Sequence, residues 1–172
     1  ACVAFIGVEI LHIVQQRSSM LQENEKDNVN LADSLIQHAE LTFRTADALL
    51  LATAFRLERV PFLEEEQKIA KALFVDQIQH SSQFASFTVI DDGGKLVVST
   101  AAVPEGMDLS DRDYFVHHLT SSDDTLYIGT PIRGRGTNLW FIPVSRRFNR
   151  TDGSFGGVVL AGIRTQYFQE FY

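Results

Sequence analysis

From Phe5 to Arg59 the chain contains no proline, and after Gly7 no glycine. Small and apolar residues recur there at helical spacing: Leu31, Leu35, Ala39, Thr42, Ala46, Leu49, Leu50, Thr53 and Leu57. This predicts a long helix with one buried face. The segment Met20 to Val29 is polar, with Gln22, Glu23, Asn24, Glu25, Lys26, Asp27 and Asn28. A helix with such a middle cannot bury itself everywhere, so it reads as a stalk followed by a half-buried part packed on a domain. The stalk could also form a parallel dimer contact, although its heptad pattern is loose. Pro61 breaks the helix. A second helix is expected from Phe62 to about Ser82, with Ile69, Ala70, Leu73, Phe74 and Ile78 on its apolar face.

The pattern then changes period. Ser86 to Asp91 and Lys95 to Thr100 read as strands around the turn Asp92-Gly93-Gly94, a β-hairpin. After a loop with Pro104 and Gly106, Ser110 opens a short helix to about Leu119. Asp113 stands in the capping-box position three residues on. Three further strands follow, Leu126 to Ile132, Leu139 to Phe148 and Phe155 to Ile163. Gly134-Arg135-Gly136 and Thr151-Asp152-Gly153-Ser154 make the turns between them. Thr165 to Tyr172 begins a last helix. Five strands joined mostly by hairpins, with the helices elsewhere, predict an α+β fold with an antiparallel sheet. The strand Leu139–Phe148 is apolar on both faces, with Trp140 expected in the core, so the sheet should be covered on both sides. The long helix can cover one face, and the segment from Ala101 to Asp124 the other. A space beneath that segment would suit a small molecule.

Charge narrows the function. A net charge of −7 argues against a nucleic-acid partner. All four lysines lie at or before Lys95, whereas Arg112 to Arg164 holds seven arginines and no lysine. Arginine suits fork-like recognition of carboxylate or phosphate. With Cys2 as the single cysteine there is neither an internal disulfide nor a cysteine metal cage. The first eight residues are apolar, too few for a span of about 20. Residues 1–14 read as the outer end of a transmembrane helix, with a cropped signal sequence or a dimer seam as alternatives.

Arg112 and Tyr114 are the first site candidates. They follow a helix start, where free N–H groups and the helix dipole favour anions. The competing reading pairs Arg112 with Asp108 or Asp111. Tyr127, Trp140, Ser145, Arg146 and Arg147 lie on later strands. Trp140, Ile142, Val144 and Arg146 share one face, and Phe141, Pro143, Ser145 and Arg147 the other. An arginine on a strand buried on both faces needs a partner, either a protein acid or an anionic ligand. His117 and His118 are adjacent, without the i,i+4 spacing of a helical metal site. Neither HExxH nor GxSxG occurs, and Gly134-Arg135-Gly136 lacks the context of a dinucleotide fingerprint. No metal or cofactor is expected, and no catalytic residue is assigned.

Four stretches together resemble a known family: Leu109-Ser-Asp-Arg-Asp-Tyr-Phe115, Leu126-Tyr-Ile-Gly-Thr-Pro131, Trp140-Phe-Ile-Pro-Val-Ser-Arg-Arg147 and Asp152-Gly-Ser-Phe-Gly-Gly-Val-Val159. They are similar to the membrane-distal, PAS-like half of double Cache sensor domains, above all those of GGDEF diguanylate cyclases and some histidine kinases. The resemblance covers about residues 31–172. It implies a five-stranded antiparallel sheet with a long N-terminal helix, and a periplasmic position in an inner-membrane protein, between transmembrane helices. It implies a small ligand, often a carboxylate or amino acid, held between sheet and lid, and a homodimer is expected in the full-length protein. The family's ligand-binding arginine falls on Arg112, followed by Tyr114 and Phe115. Amino-acid-binding members carry an aspartate near the end of the last strand; here Leu160-Ala-Gly-Ile163 has no acid, which favours a simple carboxylate or other anion. No second PAS-like half follows within these residues. The division expected is a stalk and packing helix over 1–60 and a Cache module over 61–172. The function expected is a non-enzymatic sensor, with a ligand-free dimerisation or partner-binding module as the alternative. The ligand site would draw on Arg112, Tyr114, Phe115, Tyr127, Trp140, Ser145 and Arg146.

Overall fold

The structure, a computed structural model, describes residues 2–59 and 64–169; the side chains at 2–16, 18, 19, 21–25 and 64–66 lie outside the description. The readings of residues 1–14 as a membrane remnant and of Pro61 as the helix end rest on residues or side chains that are not described. Among the described residues no helix is long and apolar enough to cross a membrane.

Two compact units make up the chain, Ala1–Leu41 and Thr42–Tyr172. In the first, the side chains from Lys26 to Ser34 of helix α1 (Cys2–Arg59) are all exposed; Leu31, expected on the buried face, is 56% exposed and is a correction. In the second, Thr42, Ala46, Leu50, Ala54 and Leu57 of α1 are buried at spacings of three and four. This places the last turns of α1 in the core of the second unit, so the compact division falls well before Pro61.

The second unit continues with α2 (Glu64–Gln79), β1 (Phe84–Asp91), β2 (Leu96–Ser99), α3 (Asp113–Thr120), β3 (Tyr127–Ile128), β4 (Ile132–Arg133), β5 (Trp140–Asn149), β6 (Phe155–Arg164) and α4 (Thr165–Gln169). The strands form one antiparallel sheet in the order β2-β1-β6-β5-β3, with β4 also paired to β5. The sheet thus has six strands, because the single edge strand expected over Leu126–Ile132 is broken in two. Pro143 supplies the reason. Its carbonyl points to the edge and accepts from Gly129 N–H at 2.9 Å, but its nitrogen has no hydrogen to offer on that side. Its ring also packs where a Cβ on Gly129 would fall, 2.8 Å from Pro143 Cγ. Pairing lapses over Gly129–Pro131 and resumes at Ile132.

Both faces of the sheet are covered. On one, Ala46, Leu50, Ala54 and Leu57 of α1 and Ala70 and Phe74 of α2 pack on Phe87, Val89, Val144, Val159, Ala161 and Ile163. On the other, Leu109, Tyr114 and Phe115 pack on Ile90, Leu96, Val158 and Leu160. The segment between β2 and β3 is therefore a lid. Trp140 is a correction: it is 53% exposed. The β5–β6 ladder begins at Phe141 opposite Arg164, so Trp140 overhangs the end of β6 and the core beneath it.

Candidate functional site

The lid is pinned to the hairpin below it. Leu109 N–H donates to Gly94 O at 2.8 Å, and Leu96 N–H to Met107 O at 2.9 Å. This approach requires a glycine at 94: its φ is +80°, and a Cβ there would lie 2.5 Å from Ser110 Cβ. Lys95 Nζ donates to Asp108 Oδ2 at 2.8 Å, while Ser110 N and Oγ donate to Asp108 Oδ1 at 3.0 and 2.7 Å. The Lys95 bond first, then those from Ser110, hold the Asp108 carboxyl well below its ordinary range. Ser110 is thereby committed to Asp108 and does not cap the helix. Helix α3 begins at Asp113, with Arg112 as an extended N-cap and no side-chain cap bond. The capping-box expectation is corrected accordingly, and the first turn keeps open N–H groups.

Beneath the lid lies a cavity of about 50 Å³. Ser86 and Thr88 of β1, Ser99 of β2, Phe141 of β5 and Leu160 of β6 form its floor; Met107, Leu109, Arg112 and Tyr114 come from the lid. The turn Gly134–Thr137 closes one side. Thr88 Oγ1 and Ser99 Oγ are 3.1 Å apart, a buried hydroxyl pair. Among the described lining residues there are two arginines and no aspartate or glutamate. Arg135 is already bound, through Nη2 to Asp111 Oδ2 at 2.7 Å and through Nη1 to the Asp108 carbonyl. Arg112 is not saturated. Its Nη2 reaches Arg133 O at only 3.4 Å, and its Nε is buried without a hydrogen-bond partner. Tyr114 is 3% exposed, and burial pushes its hydroxyl up to about 12. It therefore stays neutral and can donate.

The other expected site residues stand elsewhere. Phe115 is buried in the lid core, edge-on to Phe155 at 5.7 Å. Tyr127 stacks on His117 at 4.3 Å. Ser145 is fully buried and its Oγ lies 3.0 Å from His118 Nε2. Arg147, on the same face, donates through Nη1 to the carbonyls of His118 and Ser121 at the end of α3. Arg146 lies on the opposite face, where its Nε donates to Asp47 Oδ1 of α1 at 2.5 Å and its Nη1 to the Asp124 carbonyl. Its partner is thus a protein acid. Trp140 faces solvent. Sequence reasoning missed Ser86, Thr88, Ser99 and Arg135. The signal for two of them was present: Ser86 and Thr88 sit two apart in an otherwise apolar strand, so they share a face. Among the described residues no group of three His, Cys, Asp or Glu side chains could hold a metal ion.

A PAS-like antiparallel sheet, a long N-terminal helix and a lidded cavity define the class: this chain has the fold of Cache-type extracellular sensory domains of receptors and kinases. The extracellular domain of a protein assigned as a histidine kinase superposes with a TM-score of 0.75 at 35% identity, over 83% of this chain and 58% of that one. The sensory domain of the Campylobacter jejuni chemoreceptor Tlp3 with isoleucine bound gives 0.70 at 13% identity, over 90% and 64%. The ligand-binding domain of the Pseudomonas fluorescens chemoreceptor CtaA in complex with L-serine gives 0.65 at 17%, over 87% and 63%. The chain spans about three-fifths of the length of these structures. No protein-family model and no curated protein matches it.

Proposed function

We propose that the chain is the extracytoplasmic sensing module of a membrane-anchored, dimeric signalling protein of the diguanylate cyclase or histidine kinase type, and that it binds a short carboxylate under the lid. Arg112 carries this reading. A buried guanidinium N–H without a partner is costly, and a carboxylate would satisfy it in a charge-assisted bond. Tyr114, the open first turn of α3 and the Thr88–Ser99 hydroxyls add donors around it. The lining supports a ligand without an amino group, since its described residues offer no acid to hold an ammonium. The volume favours a small one. At roughly 10–15 Å³ per water, 50 Å³ is room for about three to five water-sized atoms and suits an acid of about two or three carbons.

The signal would leave through β5. Ser145 and Arg147 grip α3 and its exit, while Arg146 joins the same exit loop at Asp124 to Asp47 of α1. Movement of the lid on binding would thus reach the helix that faces the other side of the sheet.

The test is a thermal-shift titration with acetate, propionate, pyruvate and succinate, set against serine and isoleucine, and repeated with Arg112→Ala. A ligand at 100 times its Kd stabilises by about 2.7 kcal/mol, or about 5–10 °C in Tm for a chain of this size. A carboxylate shift lost in Arg112→Ala is the expected result. An equal shift in the variant would remove Arg112 from the site. The smallness of the cavity supports a second reading, a module that works by dimerisation or partner binding with no ligand. No shift with any compound would select it.

A further inference from the structure

Another cavity among the described residues of the second unit is not under the lid. It measures about 410 Å³ and lies on the opposite face of the sheet, between the last turns of α1 and α2. Its walls are Leu49, Ala52, Thr53 and Leu57 of α1, and Ala70, Leu73 and Phe74 of α2; Phe87 of β1 is the floor. The sequence explains the space. Ala52, Thr53 and Ala70 are too short to fill the gap between two helices that both rest on the sheet. Phe74 is stacked on Phe87 at 5.1 Å, which gives the floor a flat aromatic surface. Leu73, 58% exposed, stands at the mouth.

The space opens to solvent on one side, where Ala52, Leu73 and Asp76 are exposed, and is closed by buried side chains on the other. An apolar cavity of ~150 Å³ is enough to stay dry and take up benzene, and binding sites for small molecules run to about 300–1,000 Å³. Most polar groups on this wall are engaged, and the Asp76 carboxylate stands exposed at the rim. Thr53 Oγ1 donates to Leu49 O at 2.8 Å, and Gln77 Nε2 to Ser81 Oγ at 3.0 Å. Asp76 lies beside His80, at 3.7 Å, and Arg56 has a partner as well. What remains open to an occupant is aliphatic and aromatic surface.

We infer that this cavity is a second binding site, for an uncharged, compact apolar molecule such as a small aromatic. It is independent of the lid cavity, which lies across the sheet and is lined by hydroxyls and arginine. Its position between α1 and α2 gives such a molecule direct contact with the helix to which Arg146 is tied.

The test uses the whole chain with methyl-labelled alanine and leucine, titrated with benzene and with indole and followed by NMR. Saturable shifts at the methyls of Ala52, Leu57, Ala70 and Leu73, unchanged in Arg112→Ala, are expected. Ala70→Leu should fill the space and weaken binding at least tenfold, with Tm unchanged or raised. Because Ala70 is buried and its variant could fail to fold, Ala52→Leu, at an exposed position, provides the same test from the rim. The proposal is overturned if neither probe gives saturable shifts, if the shifts fall on the lid side, or if a folded filling variant binds as well as the parent chain.

Discussion

His118 allows a prediction worked directly from the structure. Its ring is fully buried between α3 and β5, with Nε2 3.0 Å from Ser145 Oγ and Nδ1 without a partner. The neutral ring fits this site with Nε2–H donating to Ser145 and Nδ1 as a bare acceptor. Protonation would add a second N–H with nowhere to donate. Burial is the main force against the charged form, followed by His117; Arg147 and Arg146 add to it, and the Ser145 bond opposes it. Together they lower the ring from 6.5 to about 4. Since the folded value lies below the unfolded one, the unfolded chain takes the proton first. The stability contribution is complete above about pH 6.5, is lost as pH falls, and is gone below about 4. At about 1.4 kcal/mol per unit, the loss across that window is about 3 kcal/mol. Urea denaturation followed by circular dichroism at pH 7.5, 6, 5 and 4.5 measures it. His118→Gln keeps an amide that can reach Ser145 but does not titrate. Its stability at pH 7.5 should be lower than that of the parent chain, and its slope between pH 6.5 and 4 much flatter. The other histidines and the carboxylates are common to both proteins and cancel. Superimposable pH profiles would refute the reasoning.

Two further predictions concern the sheet and its tie to α1. Asp47→Ala strips Arg146 of its carboxylate partner while that side chain stays only 15% exposed and keeps the Asp124 carbonyl, which should cost about 1–3 kcal/mol, between the surface and buried limits; a cycle with Arg146→Gln in urea should show coupling, and additive losses would mean that the pair does not interact. Gly157 has φ +143°, and a Cβ there would fall against the Ile90 carbonyl, so Gly157→Ala should destabilise by about 2–4 kcal/mol, whereas Gly153→Ala, with open space around it, should cost about 1 kcal/mol; equal losses would show that the sheet at Gly157 yields freely.

Much of the fold could be read from local chemistry. The turns at Asp92-Gly93-Gly94 and Thr151–Ser154 formed where glycine and aspartate placed them, because such turns are decided by a few neighbouring residues: Asp91 Oδ1 accepts from Gly93 and Lys95, and Asp152 Oδ1 from Ser154. The break in the edge strand was also in the sequence, in Pro143 and Pro131, but it appears only when the missing donor is set against the strand beside it. The capping box failed for a related reason. Ser110 has two candidate partners within three residues, and Asp108, held by Lys95 between hairpin and lid, is the one it bonds.

The arginine pair shows why site residues are harder to read than elements. Period two puts Arg146 and Arg147 on opposite faces of β5 whatever else happens, and each must find a partner. Which partner is a matter of contacts far apart in sequence: Asp47 is 99 residues from Arg146, and Ser121 is 26 from Arg147. Nothing in the local pattern distinguishes a strand arginine that waits for an anion from one already held by the protein. The distinction that survives is satisfaction. Arg135, Arg146 and Arg147 have protein oxygens around them, whereas Arg112 has a buried Nε with none. An arginine held open in this way is under pressure to find an acceptor, and the cavity beside it is where a carboxylate could supply one.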